Sequence, residues 1–207
     1  MRLQSRPTAV TTGFLLLASV LISAPVVAGV PTDQIKATVD RALVVLKNPR
    51  LKPAAKTRER RDQLRQILFG RFDFTEMAKR ALGANWRRRT PKEQEEFVRL
   101  FTEILERAYA DTIESYTDEQ IVYVGEKLDG TYADVISKIL TSKGEEFSIN
   151  YKAHLNGAEW RVYDVVVENI SMVNNFRSQF NRVIGNSSYE ELIRRLRDKA
   201  DIASQKN

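Results

Sequence analysis

Apolar positions recur at intervals of three and four over most of the chain and alternate with polar ones in a central stretch, and these two periods divide it into helices and strands. In PTDQIKATVDRALVVLKNP, residues Ile35, Val39, Ala42, Leu43 and Leu46 share one helical face between Pro31 and Pro49, so a first helix ends near Asn48. A second is predicted from about Ala54 to Phe69, with Leu64, Ile67 and Leu68 as its stripe and Gly70 as its stop. A third aligns Phe74, Met77, Ala78 and Ala81 and closes at Gly83. The fourth, Pro91 to about Tyr116, carries the strongest signals. Thr90 and Glu93 have capping-box spacing, Pro91 takes the first helical position, and Phe97, Leu100, Phe101, Ile104, Leu105 and Ala108 repeat at three and four.

After Asp118 the period falls to two. QIVYVGEKLDG, TYADVISKIL and EEFSINYKAHL read as strands, the last alternating Phe147, Ile149, Tyr151, Ala153 and Leu155 with polar neighbours. Asn156 and Gly157 signal a hairpin into a fourth strand, Trp160 to Val167. Helical spacing returns after Ser171, a candidate N-cap, with Met172, Phe176, Phe180, Val183 and Ile184 on one face. A last helix spans Ser188 to about Ile202. No repeat or low-complexity linker interrupts this order. The expectation is one α+β domain with a four-stranded antiparallel meander and about six helices.

The N-terminus changes the picture of where the chain works. The first 32 residues hold no acidic group; Arg2 and Arg6 precede the apolar run Phe14 to Ile22, and Val26 and Ala28 supply small residues before a cleavage site. Residues 1–28 read as a secretory signal cleaved after Ala28, leaving 29–207 as the mature domain in the periplasm; an uncleaved anchor over Pro7 to Thr32 is the alternative. No later segment has the length of a membrane span, so a soluble mature protein is expected. The sequence has no cysteine, which excludes a lipid-anchored lipoprotein and any disulfide framework. Loss of Arg2 and Arg6 lowers the formal charge from +6 to +4. The basic clusters KTRERRDQLR and WRRRT are either solvated helix faces or docking sites for acidic partners or anionic lipid surfaces; export removes nucleic acid as a partner.

Candidate chemistry is sparse. There is one histidine, and no HExxH or clustered His and Asp spacing for a metal. His154 falls on the polar phase of its strand and is expected to point outward. Ser171 has no nucleophile elbow around it and reads as a cap. Asp164 interrupts WRVYDVVV; it is either a buried general base or the partner of an arginine such as Arg177, and the pairing is the expected role. No cofactor is implied. What the chain has in quantity is large apolar side chains, which fill a core or line a cleft between sheet and helices.

FDFTEMAKRALGANWRRRTPKEQEEFVRLFTEIL, then YADVISKIL, then WRVYDVVVENISMVNNFRSQFNRVI closely resemble the MlaC family of periplasmic phospholipid-shuttle proteins. The similarity covers about Pro31 to Lys199. Phe72-Asp73-Phe74, Met77-Ala78, Leu82-Gly83, Trp86, Thr90-Pro91, Phe97, Trp160 to Asp164, Ser171, Asn175-Phe176-Arg177 and Gln179-Phe180 stand where that pattern has them. Asn169 replaces the usual Gly before the Ile-Ser step, and Asn tolerates the same left-handed backbone. The resemblance implies a curved sheet with an apolar cavity beneath the helices. It also implies a non-enzymatic carrier that moves phospholipid between an outer-membrane lipoprotein complex and an inner-membrane ABC transporter complex with its substrate-binding ring component. On that reading Phe74, Met77, Phe97, Phe101, Leu105, Phe147, Ile149, Tyr151, Val165, Val167 and Phe176 are candidate lipid contacts, Arg87, Arg88 and Arg89 candidate docking residues, and the protein a monomer. Two other classes stay open: a small cone-fold enzyme of isomerase or dehydratase type, which needs a titratable group deep in the cone, and a protein-only periplasmic adaptor with a filled interior.

Overall fold

The computed structural model describes residues 30–116 and 119–204, with side chains as far as 200. The expected signal segment lies outside these residues. Helix α1 spans Pro31–Lys47, with Pro31 at its first position, Asp33 in its first turn and Lys47 in its last, an arrangement that suits the helix dipole. It stops where Asn48 turns extended before Pro49. After two short 3₁₀ turns come α2 (Thr57–Phe69) and α3 (Phe74–Leu82), and the latter ends at Gly83, whose φ of 58° is left-handed. A 3₁₀ segment, Gly83–Arg88, leads to α4 (Pro91–Glu114), which carries the expected reciprocal Thr90–Glu93 capping box.

The strands β1 (Gln120–Asp129), β2 (Tyr132–Leu140), β3 (Glu146–Asn156) and β4 (Glu159–Val167) form the predicted antiparallel meander. The sheet has a fifth strand, β5 (Ile170–Ser171), which corrects the expected count of four. It folds back on Val166 and Val167 through Glu168 and Asn169, both left-handed at φ 48° and 65°, as a tight two-residue hairpin requires. Asn169 thus adopts the left-handed backbone expected of it. The β3–β4 turn falls one residue later than expected: Asn156 still pairs with Glu159, and Gly157, at φ 62°, is the first turn residue. Helices α5 (Met172–Asn186) and α6 (Tyr189–Ser204) complete the chain, and the Ser171 hydroxyl caps α5 by accepting from Asn174 N at 3.0 Å.

Apolar burial gathers into three clusters. The helical cluster joins α3, α4, α5 and α6 around Leu82, Phe97, Leu100, Phe101, Val173, Phe180 and Leu192, with Tyr163 from β4. The sheet cluster sets Ile35 of α1 against Ala133, Val135, Ala153, Val162 and Val165. A smaller one holds the end of α1 to α2 through Val45, Leu46, Leu51 and Leu64. Arg71 fastens α1 to the sheet. Its guanidinium donates to Gln34 Oε1 at 2.8 Å, Trp160 O at 2.7 Å and Thr38 Oγ1 at 3.1 Å. Among the described residues no helix is long and apolar enough to cross a membrane.

Candidate functional site

Cross-strand partners share a face, so the register reads the inner face of the sheet rung by rung. The first rung is Ile121, Ile139 and Phe147; the second is Tyr123, Ser137, Ile149, Val167 and Ile170; the third is Glu126, Val135, Tyr151 and Val165; the fourth is Leu128, Ala133, Ala153 and Val162. Helix α1 covers the third and fourth. Ile35 packs there, and Glu126 accepts from Thr32 N at 3.2 Å and Thr32 Oγ1 at 2.6 Å. The first two rungs are less covered: Phe147 is 41% exposed, Val167 40% and Ile170 65%. Val122 and Val124, on β1 at the edge of the sheet, are exposed as well.

The candidate lipid contacts fall into three groups. Phe97 and Phe101 are fully buried in the helical cluster. Phe97 stacks on Phe101 at 5.8 Å and meets Phe180 edge-on at 5.6 Å, while Phe101 meets Phe176 edge-on at 5.2 Å. Met77 and Leu105 are buried beside them, with Phe74 and Phe176 partly buried against the same cluster. Ile149, Tyr151 and Val165 belong to the sheet cluster, and Phe147 and Val167 stand exposed at its open end. Phe72 and Met172 pack against both clusters and mark the seam between them. Two surface grooves lie elsewhere. One, of about 470 Å³, runs along α1 past Asp40, Leu43, Val44, Lys47, Asn48 and Pro49. The other, of about 390 Å³, lies between α5 and α6. Neither is lined by a candidate lipid contact.

Polar groups on the inner face are few. The Ser137 hydroxyl donates to Ile149 O, and burial pushes the Tyr151 phenol up to about 12 despite a hydrogen bond with Ser137. Burial also raises the Tyr123 phenol well above the ordinary range, and its buried hydroxyl has no hydrogen-bond partner among the described residues. In the sequence Tyr123 is a strand residue like its neighbours; only the register brings it to the second rung.

Asp164 does not pair with Arg177, which corrects that expectation. It accepts from Val173 N at 3.0 Å and from the Ser171 hydroxyl, while Arg177 Nε donates to Arg80 O at 2.7 Å. The cause is a bulge. The β3–β4 register shifts between Lys152 and Ala153, so β4 holds an extra residue, Tyr163, and Asp164 meets the start of α5. His154 lies on the face opposite Tyr151, as expected, yet it is half-buried and bonded to Asp73 Oδ2 at 2.9 Å. Asp73 also caps α3 through Glu76 N at 2.8 Å.

The two basic clusters differ. Arg60, Arg61 and Arg65 of α2 are engaged with Glu114, Asp111 and Glu106 of α4. In the second, the Arg89 guanidinium lies 4.4 Å over the Tyr189 ring and 3.5 Å from Glu93, whereas Arg87 and Arg88 are exposed. Among the described residues no group of three or more His, Asp or Glu is arranged to hold a metal.

The fold is shared with a solved protein, and the sequence is similar to two named relatives. The solved phospholipid-binding protein of Ralstonia solanacearum, a complex with a phospholipid, superposes with a TM-score of 0.73 at 23% identity, over 84% of this chain and 98% of that one. The toluene tolerance protein ttg2D of Pseudomonas putida is 26% identical over 170 residues, covering 81% of this chain and 79% of that protein. The intermembrane phospholipid transport system binding protein MlaC of Haemophilus influenzae is 24% identical over 127 residues, covering 58% of this chain and 59% of its own. The MlaC protein family model matches residues 36–198, nearly the whole of the described fold, and the chain belongs to the MlaC family.

Proposed function

We propose that the protein is a periplasmic phospholipid carrier, exported with its signal cleaved after Ala28. It takes lipid from one membrane-bound complex and delivers it to another, an outer-membrane lipoprotein complex and an inner-membrane ABC transporter complex with its substrate-binding ring component, and so maintains outer-membrane lipid asymmetry. Family membership supports this, together with the phospholipid in the Ralstonia protein and the transport role named for the Haemophilus relative. The observation that carries it is the uncovered apolar end of the inner face, where Phe147, Val167 and Ile170 adjoin the sheet cluster.

Two chains of about sixteen carbons, at ~0.8 kcal/mol per CH₂, cost on the order of 25 kcal/mol to hold in water, so a shallow patch is too little and the chains must be enclosed. On this reading sheet and helices would part to admit them at the seam marked by Phe72 and Met172, which pack against both clusters. Phe147, Ile149, Tyr151, Val165 and Val167 would form the sheet wall, Leu105 and Phe176 the facing edge, with Phe74, Met77, Phe97 and Phe101 as its packed backing. Arg87 and Arg88 would then meet acidic surfaces on the partners, with Arg89 anchoring their segment. Asp164, the carboxylate that an enzyme reading singles out, is hydrogen-bonded at the start of α5 and does not face the open rungs. Native mass spectrometry of mature protein purified from periplasm tests the proposal. A mass increment matching a diacyl phospholipid is expected; protein that carries none and takes none up from vesicles would refute it.

A further inference from the structure

We propose that the Tyr123 hydroxyl is a specificity-determining donor that binds an ester carbonyl of the lipid, so that the carrier selects ester-linked over ether-linked chains. The proposal rests on the carrier reading above and deepens it. On the second rung Ser137 is satisfied by Ile149 O, and Ile149, Val167 and Ile170 are apolar. Tyr123 alone brings to this rung a buried donor with no partner among the described residues. A phenylalanine would fill the same space without desolvating a hydroxyl, and an unmet buried donor carries that full penalty. The group gains its bond when an acceptor is brought in. Its surroundings favour a neutral acceptor, because Asp40 of α1 and the Tyr151 phenol lie near it and Glu126 stands one rung away on the same strand. An incoming phosphate would face those groups at low dielectric, whereas an ester carbonyl brings no charge.

Position agrees with this chemistry. In a diacyl lipid the ester carbonyls mark the boundary between hydrocarbon and hydrated head group. Tyr123 stands on the second rung with the exposed Val167 and Ile170, next to the rungs covered by α1, where a carbonyl that joins the chains to the head group can reach it. Burial raises the Tyr123 phenol, so it remains a protonated donor throughout the neutral range.

The test is a competition. The delipidated full-length mature protein is equilibrated with mixed vesicles holding equal amounts of a diacyl and a dialkyl phosphatidylcholine with matched chains, and the bound ratio is read by native mass spectrometry. The intact protein is expected to favour the diester by about 5- to 10-fold, the usual worth of one neutral hydrogen bond. Tyr123→Phe is expected to bring the ratio close to one, with a melting temperature no lower than that of the parent. Equal loading of both lipids by the parent, or an unchanged preference in the variant, overturns the proposal while leaving the carrier reading intact. Uptake of neither lipid by the parent overturns the carrier reading and this proposal with it.

Discussion

The helical cluster and the open end of the sheet are built from similar residues and differ in completeness. Around Phe97 and Phe101 every aromatic has its neighbour: Phe176 and Phe180 meet them edge-on, and Leu82 and Leu100 are fully enclosed. At the sheet's first two rungs, Phe147 and Val167 are two-fifths exposed and a phenol is buried without a partner. Stability is gained by closing such gaps, so an incomplete region beside a filled core is the place where the proposed function would be served. The helical cluster is filled, and the incomplete rungs are where the proposed carrier would hold its lipid chains.

The widest separation between the two regions is expected from truncation. Phe101→Ala removes a fully buried ring from an aromatic cluster and should cost about 3–5 kcal/mol in denaturant unfolding. Val167→Asp should stay within about 1 kcal/mol of the parent in the same measurement, yet lose co-purifying lipid, because a carboxylate on an apolar wall must be desolvated when the chains arrive. Comparable unfolding of both variants would erase the distinction.

Asp164 joins the two regions, since it sits on the bulge of β4 and receives the start of α5. Asp164→Ala strands Val173 N and the Ser171 hydroxyl and is expected to cost about 1–3 kcal/mol, whereas Asp164→Asn, which keeps an acceptor, should cost less. Equal losses from the two would mean that the hydrogen bonds are not what Asp164 contributes.

A smaller effect is expected where α2 meets α4. The Arg61 hydrogen bond lowers Glu114 below the usual carboxylate range, so the pair stabilises the fold above the unfolded carboxylate value, about 4.3, and that contribution is lost as pH falls through the depressed folded value. Arg61→Ala should lose roughly 1 kcal/mol at pH 7, with the gap to the parent closing in the acid range. A gap independent of pH would point to packing instead. Least of all should stability respond to Arg87→Glu with Arg88→Glu. That double variant is expected to slow association with a transporter partner at low salt and to keep its lipid, because exposed charges act over distance and are screened beyond about 8 Å at physiological ionic strength. Lost lipid with unchanged association would assign these arginines to the head group.

Much of this contrast could be read from residues, and the rest depends on pairing. Helix ends follow from local chemistry: Thr90 and Glu93 start α4, Ser171 caps α5 and Gly83 closes α3, each signal lying at the end of the helix it marks. The fifth strand was missed because its turn uses Glu168 and Asn169, and glutamate is a poor marker of a left-handed position. The bulge at Tyr163 has no sequence mark, so a nearby arginine such as Arg177 is the expected partner of Asp164, whereas the bulge turns it to the start of α5. Tyr123 was invisible for the same kind of reason. Its importance comes from standing beside Ser137 and Ile149 on a shared rung, which only the long-range register determines.

The central claim, that lipid chains lie against the incomplete rungs and not in the saturated helical core, is tested most directly by photocrosslinking. Mature protein loaded with a phospholipid bearing a photoreactive group along one acyl chain would be irradiated, digested and mapped by mass spectrometry. The expected adducts fall on peptides of β3 and β4 that carry Phe147, Ile149, Val165 and Val167, with a smaller yield on Leu105 and Phe176 across the seam. Adducts concentrated on Phe180, Leu192 and Leu196, in the groove between α5 and α6, would contradict the account.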